Sequence, residues 1–344
     1  MQIQTIAKFV DQPIILNKLQ QKMPRVLIGT GAAFGLYDTF KPSRKENRFR
    51  QGIKNAIIIS STVTASLVGA RGLAIGGKKI IKGLMEYTPV DKLLQKQTEA
   101  VNHFISNKKP LDDNLLSILN KSKTTYLSCK DIETLSTKLP ADDKREALFK
   151  VILPDKENLN SGEIFGEIKR LSLLGAVPVL GGIAGGLAAD AVTGTGSKRK
   201  TADKIKEGFY QYFANIFLCN VGAGAALYCA EQLSKAKIIK PLQPVQKLCT
   251  ILAGITATGI VGGSYIANYL SKKIINPLFG QKTDQKLYDE RKPELTDIAL
   301  HADDIATAGV LSGFKWIEPA LPLMYFVSGY RAGIGYRNVN KDPE

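Results

Sequence analysis

The sequence predicts an all-α integral membrane protein: about six transmembrane or membrane-embedded helices in two or three Gly/Ala-rich hairpin repeats, with one soluble helical insert. Three observations predict it. Residues 171–189, 208–230 and 248–271 carry no charge, and a helix needs roughly 20 apolar residues to cross the hydrocarbon core of a bilayer. Residues 84–170, in contrast, are as charged as an ordinary soluble domain. Glycines also recur at four-residue spacing inside the apolar runs. The near-neutral mean hydropathy is the average of these two populations.

Taken in order, residues 1–22 set Ile3, Ile6, Val10, Ile14 and Ile15 among Lys and Gln, the pattern of an interfacial amphipathic helix, with Pro13 bending it. This segment lacks the continuous apolar stretch of a signal peptide. Residues 23–77 form the first membrane hairpin. Its first arm, 23–40, is barely long enough to span and is equally suited to a re-entrant helix, while its second arm, 55–70, closes at Arg71. The insert, 84–170, reads as four or five short helices without strands. Ser128 with Asp131, and Asn160 with Glu163, have the spacing of capping boxes, and Pro154 stops the helical pattern that precedes it. Residues 171–233 form the second hairpin and 248–336 the third, which contains a polar connecting loop. The final apolar run is interrupted by Lys315, Glu318 and Pro319.

The hairpins resemble one another internally. Residues 29–38 align without gaps to 181–190; both are glycine-rich, both end on Asp, and each is followed by a basic loop and an apolar helix opening near Asn55 or Asn215. Residues 259–263 begin a possible third copy. The pairs Gly31 and Gly35, Gly181 and Gly185, Gly182 and Gly186, and Gly259 and Gly263 each clear one helix face. Lipid is as apolar as leucine, so helices in a bilayer associate where small residues let their backbones approach.

The net charge of +16 collects beside these runs, at Lys41, Arg44 and Lys45, at Lys198, Arg199 and Lys200, and at Lys235, Lys237 and Lys240. That placement suits membrane topology, so no nucleic-acid partner is expected. Lys and Arg divide evenly between the two sides of a six-span arrangement, which leaves its orientation open. The cysteines show no metal-ligand spacing and read as small buried hydrophobes.

Ionisable groups at membrane depth are costly and therefore mark candidate sites. Asp38 and Asp190 each end a glycine-rich helix, where they would bind a cation, relay a proton, or pair at the interface with Lys41 or Lys198. Lys315 and Glu318 share a helical face, beside the helix-breaking Pro319 and Pro322. His301, Asp303 and Asp304 read as a solvated helix start rather than a metal site. No catalytic arrangement, cofactor motif or metal site is evident. The expectation is a non-enzymatic multi-pass membrane protein that assembles through its glycine faces and carries a soluble docking domain. The alternative is a secondary transporter or channel, with Asp38, Asp190, Lys315 and Glu318 as its polar site at the repeat interface. The expected partners are the lipid bilayer and either a second copy or another membrane protein, in a bacterial inner or plasma membrane.

Overall fold

The computed structural model describes residues 3–41, 47–76, 78–85, 88–107, 111–154, 161–242, 244–279, 306, 310 and 315–335, which are almost entirely helical. From the N-terminus run α1 (Ile3–Val10), α2 (Pro13–Phe40) and α3 (Arg48–Arg71), then the strands β1 (Gly72–Ile75) and β2 (Lys78–Lys82). The insert supplies α4 (Val90–Ser106), α5 (Asp113–Ser122), α6 (Cys129–Lys138) and α7 (Asp143–Ile152). Next come α8 (Ser161–Thr193), α9 (Lys198–Tyr212) and α10 (Leu218–Lys235), the last two joined without a break by a π turn, Phe213–Phe217. A further helix comprises α11 (Pro244–Ile255), α12 (Ser264–Leu270) and α13 (Asn276–Leu278), with π turns between them. A 3₁₀ turn, Lys315–Ala320, leads into α14 (Leu321–Ile334).

Two compact units result. The first comprises Met1–Met23, Glu86–Asn158 and Ser312–Pro319. Its core joins Val101 and Phe104 of α4, Leu115 and Leu119 of α5, Ile132 and Leu135 of α6, and Leu148 and Ile152 of α7. Burying each such side chain contributes about 1.5–3 kcal/mol. Every helix from α5 to α7 starts on a polar cap: Asp112 accepts from the Asn114 N–H at 3.0 Å, Asp142 accepts from Arg145 N–H at 2.8 Å, and Ser128 and Asp131 form a reciprocal capping box. The Asp131 carboxyl sits below its ordinary range. Partial burial pushes it up, but hydrogen bonds from Lys121 and Ser128 outweigh that.

The N-terminal segment belongs to this unit. Pro13 does begin a new helix, as its missing N–H allows. The apolar side expected to face a bilayer, however, carries Phe9, which packs on the insert's core. Buried Gln12 then joins its side-chain amide to the backbone of Leu127 in both directions, Nε2 to O at 2.8 Å and N to Oε1 at 2.7 Å. The two units divide at Met23/Pro24, one residue from the expected boundary at 22/23, although α2 runs through it and through Pro24.

The second unit comprises Pro24–Met85, Leu159–Leu311 and Ala320–Glu344. Here α8 lies between α3 and α14, and α10 packs along α11. Among the described residues, four helical stretches are long and apolar enough to cross a membrane: Arg48–Arg71, Phe165–Thr193, Lys198–Lys235 and Cys249–Leu278. They contain the apolar runs at 55–70, 171–189 and 208–230, and all of the run 248–271 but its first residue. The first and last apolar segments are not among them, and α14 has only 14 residues.

Two expectations are corrected. The insert does not extend to residue 170, because α8 already begins at Ser161. Loss of charge after Arg170 marks a change of environment along one helix, and the backbone ladder continues through it. Strands are also present: β1 and β2 pair antiparallel, and β1 falls where 23–77 was expected to be helical hairpin. Gly72 makes the corner with φ +81°, and a Cβ there would meet the Ile81 carbonyl oxygen at 2.2 Å.

Candidate functional site

The paired glycines of the second unit lie where its helices meet. A Cβ built on Gly182 would stand 1.8 Å from the carbonyl oxygen of Gly329 on α14, and one on Gly186 would stand 2.1 Å from that of Gly333. On the adjacent face of α8, Gly181 and Gly185 meet Ala65 and Ser61 of α3 at 2.3 and 2.6 Å. Gly31 and Gly35 of α2 meet Ile59 of α3 at 2.7 and 2.6 Å. Gly259 and Gly263 face Cys219 and Ala214 at 2.1 and 2.5 Å. Each of these faces is filled by a neighbour from the same chain.

This close packing surrounds a set of buried polar side chains. Asn55 of α3 uses its whole hydrogen-bonding capacity: Nδ2 donates to the Gly35 carbonyl at 3.2 Å and to Thr39 Oγ1 at 2.9 Å, while Oδ1 accepts from Gln51 at 3.1 Å and from the Tyr330 hydroxyl at 3.2 Å. It thereby ties α2, α3 and α14 together. Gln51 also donates to Asp38 at 3.0 Å. One helical turn further along α3, the Lys54 ammonium stands 3.8 Å from Asp190, whose other oxygen accepts from Lys204 of α9 at 2.5 Å. Thr195 donates to the same carboxylate at 3.1 Å. Asp190, Lys204 and Lys54 are 6%, 4% and 9% exposed, so one carboxylate and two ammonium groups share a buried position. They open on a cleft of about 190 Å³ that is also lined by Lys200 and Asp203.

From Glu207 a polar ladder descends the helix that follows Lys204. Gln211 Nε2 donates to Glu207 Oε1 at 2.8 Å, Asn215 Nδ2 donates to Gln211 Oε1 at 2.9 Å, and Asn220 Nδ2 donates to Ser172 of α8 at 3.3 Å. Glu207, Gln211, Asn215 and Asn220 are all at most 1% exposed. The first three are four residues apart, one turn of α-helix each. The last step is five, and the π turn Phe213–Phe217 absorbs the extra residue so that Asn220 stays on the ladder's face.

Of the four residues singled out from the sequence, Asp38 and Asp190 are brought onto successive turns of α3, at Gln51 and Lys54. Asp38 accepts from Gln51, and Asp190 meets Lys204 and Lys54. Helix α9 begins only at Lys198, capped by Ser197, so the lysine opposite Asp190 lies well inside it. Glu318 is half-buried in the 3₁₀ turn Lys315–Ala320 at the edge of the first unit, while the side chain of Lys315 lies outside the described part. His301, Asp303 and Asp304 lie outside the described residues. Lys54, Lys204, Glu207, Gln211 and Asn220 escaped the sequence reading, and Asn215 was noted there only as the start of a repeated helix. The signal for three of them was present as polar residues four apart, running from a charged helix into an apolar one. Comparison with protein families, curated proteins and solved structures finds no match to the chain, so its chemistry must speak from these residues.

Proposed function

We propose that the chain is a non-enzymatic multi-pass membrane protein, whose glycine faces assemble its own helices into a bundle and whose insert is a soluble docking domain. The observation that carries it is the pairing of four helices long and apolar enough to cross a membrane with glycines sitting against backbone carbonyls at their contacts. In lipid, such van der Waals contact replaces the hydrophobic drive. Large apolar side chains left on the outside of the spans, such as Leu180 at 65% and Tyr265 at 74% exposure, suit a lipid surround. The finer proposal adds the segments 23–40 and 305–330 to make six membrane-embedded helices in two or three hairpin repeats. It is supported by the amide pairs Gln51–Asn55 and Gln211–Asn215, which share four-residue spacing and are each joined by a side-chain hydrogen bond, donated by Gln51 in the first copy and by Asn215 in the second. A bacterial inner or plasma membrane is the proposed location. Alkaline carbonate extraction of expressing membranes tests the reading: the chain should stay in the pellet, and its release to the supernatant would overturn the proposal.

A second reading is favoured by the ladder alone. Ionisable and amide groups lining a span are the usual material of proton and cation pathways. In this reading Asp190 and Lys204 form the charged mouth, and Glu207 to Asn220 carry protons or a small cation inward. Purified protein in liposomes should then dissipate an imposed pH or cation gradient, and Glu207→Gln should slow it at least tenfold. Equal fluxes from both proteins would remove Glu207 from any path.

A further inference from the structure

The strands β1 and β2 stand out on the surface of the second unit. All residues of β2, and those of β1 after Gly72, are exposed. Residues paired across an antiparallel ladder share a face. The register pairs Leu73 with Ile81 and Ile75 with Lys78, and it pairs Ala74 with Lys79 and Gly72 with Lys82. One face thus carries Leu73, Ile75 and Ile81, with Lys78 at its tip, and the other carries Lys79 and Lys82. Ile80 occupies the irregularity between them. Ile75 and Ile80 are 62% and 60% exposed. Residues 71–82 hold Arg71 and three lysines and no acid. A two-stranded hairpin is marginal in water and needs a surface to lie on.

Its attachment sets where that surface is. β1 continues from the last residue of α3, one of the four helices able to cross a membrane. The chain leaving β2 is bonded back to the same helix end, with Leu84 N–H on the Gly69 carbonyl at 2.9 Å and Met85 N–H on the Ala70 carbonyl at 3.0 Å. Arg170 of α8 donates to the Leu84 carbonyl at 3.0 Å. Both ends of the hairpin are therefore held at the end of a span, the level of the lipid headgroups.

We infer that this hairpin is a lipid-binding surface selective for anionic phospholipid, with Leu73, Ile75, Ile80 and Ile81 at the acyl boundary and Lys78, Lys79 and Lys82 on headgroup phosphates. It rests on the membrane reading above. Apolar insertion combined with basic residues gives interfacial segments their preference for anionic membranes.

The test uses the full chain with its four cysteines changed to serine and an environment-sensitive fluorophore on Ile75→Cys. The protein is placed in nanodiscs of phosphatidylcholine alone or mixed with phosphatidylglycerol. The ratio of lipid-buried to water-exposed label should rise about fivefold for each lysine engaged when the anionic lipid is present. The difference should vanish in roughly 1 M salt, where the Debye length is about 3 Å, and in the variant K78E/K79E/K82E. A water-like signal in both lipids, or an identical buried signal in both, overturns the inference. Failure of the membrane reading looks different: the chain would then not enter nanodiscs of either composition.

Discussion

Changing Gly182 to alanine should loosen the contact of α8 with α14, and changing Gly29 to alanine should not. At Gly182 the new methyl would lie 1.8 Å from the Gly329 carbonyl oxygen, against a comfortable carbon–oxygen separation of about 3.3–3.6 Å. The helices must therefore part by roughly 1.5 Å. The neighbour cannot yield by changing rotamer, because the clash is with backbone, and Gly329 is itself seated on the Pro178 carbonyl, 2.3 Å from where its own Cβ would be. A gap of that order forfeits about half of each dispersion well along the contact, so the upper end of the overpacking range, about 3 kcal/mol, applies. At roughly 2–4 °C per kcal/mol for a unit of this size, the midpoint should fall by about 6–12 °C. Gly29 is also helical, but nothing stands within 4 Å of its Cβ position. There alanine removes only glycine's entropic penalty, for a gain of about 0.5–1 kcal/mol. Thermal unfolding of both variants in detergent, followed by far-UV circular dichroism, compares them directly. A Gly182→Ala midpoint at or above that of Gly29→Ala would refute the packing argument.

Three other outcomes are expected. Asp190→Asn leaves the Lys204 ammonium buried without the carboxylate it pairs with, a loss of about 3–5 kcal/mol. Asp190→Asn combined with Lys204→Met should recover part of it, and a double variant no more stable than the single one would show that the pair is not coupled. Gln12→Ala removes both bonds to the Leu127 backbone and leaves buried polar groups unsatisfied, at about 1–3 kcal/mol. Hydrogen exchange in Ile3–Val10 should accelerate, and unchanged protection there would contradict the docking of α1. The lowered Asp131 pKa means that the folded insert binds this proton less readily than the unfolded chain. Its stabilisation is complete above the ordinary carboxylate value of about 3.9 and is lost as pH falls through the folded value. Protection factors in Cys129–Lys138 should drop as pH falls below about 4 by more in the wild type than in Asp131→Asn, and equal drops would assign the acid sensitivity elsewhere.

Much of the helical framework was legible. The charge-free runs lie inside helices long and apolar enough to span, because a stretch without charge is cheap only where water is absent. Arg71, Pro154 and the Ser128–Asp131 pair mark real helix ends and starts, each through a local backbone rule. The strands β1 and β2 were missed although Gly76 and Gly77 separate two short stretches carrying Leu73 and Ile75, and Ile80 and Ile81, the pattern of a hairpin turn. The ladder was hidden as well. Glu207 marked the edge of an apolar run, so it was read as a boundary rather than the first of a series. The step from Asn215 to Asn220 fits neither helix nor strand periodicity unless a π turn is already known. The partners of Asp190 depend on where α9 begins and how it returns along α8, a tertiary outcome that spacing from Asp190 to the nearest lysine does not encode.

The reciprocal bond between Gln12 and Leu127 also imposes a timetable. Those two residues are 115 apart in the chain. At a synthesis rate of about 5–20 residues per second, Phe9 and Gln12 emerge roughly 6–23 s before the surface that covers them exists. α3, which ends at Arg71, is completed about halfway through that interval and is then free to engage a bilayer, while α1 still lacks the surface that covers Phe9. The first helix made is thus among the later ones to find its seat, and whatever shields Phe9 during those seconds governs how cleanly the insert closes.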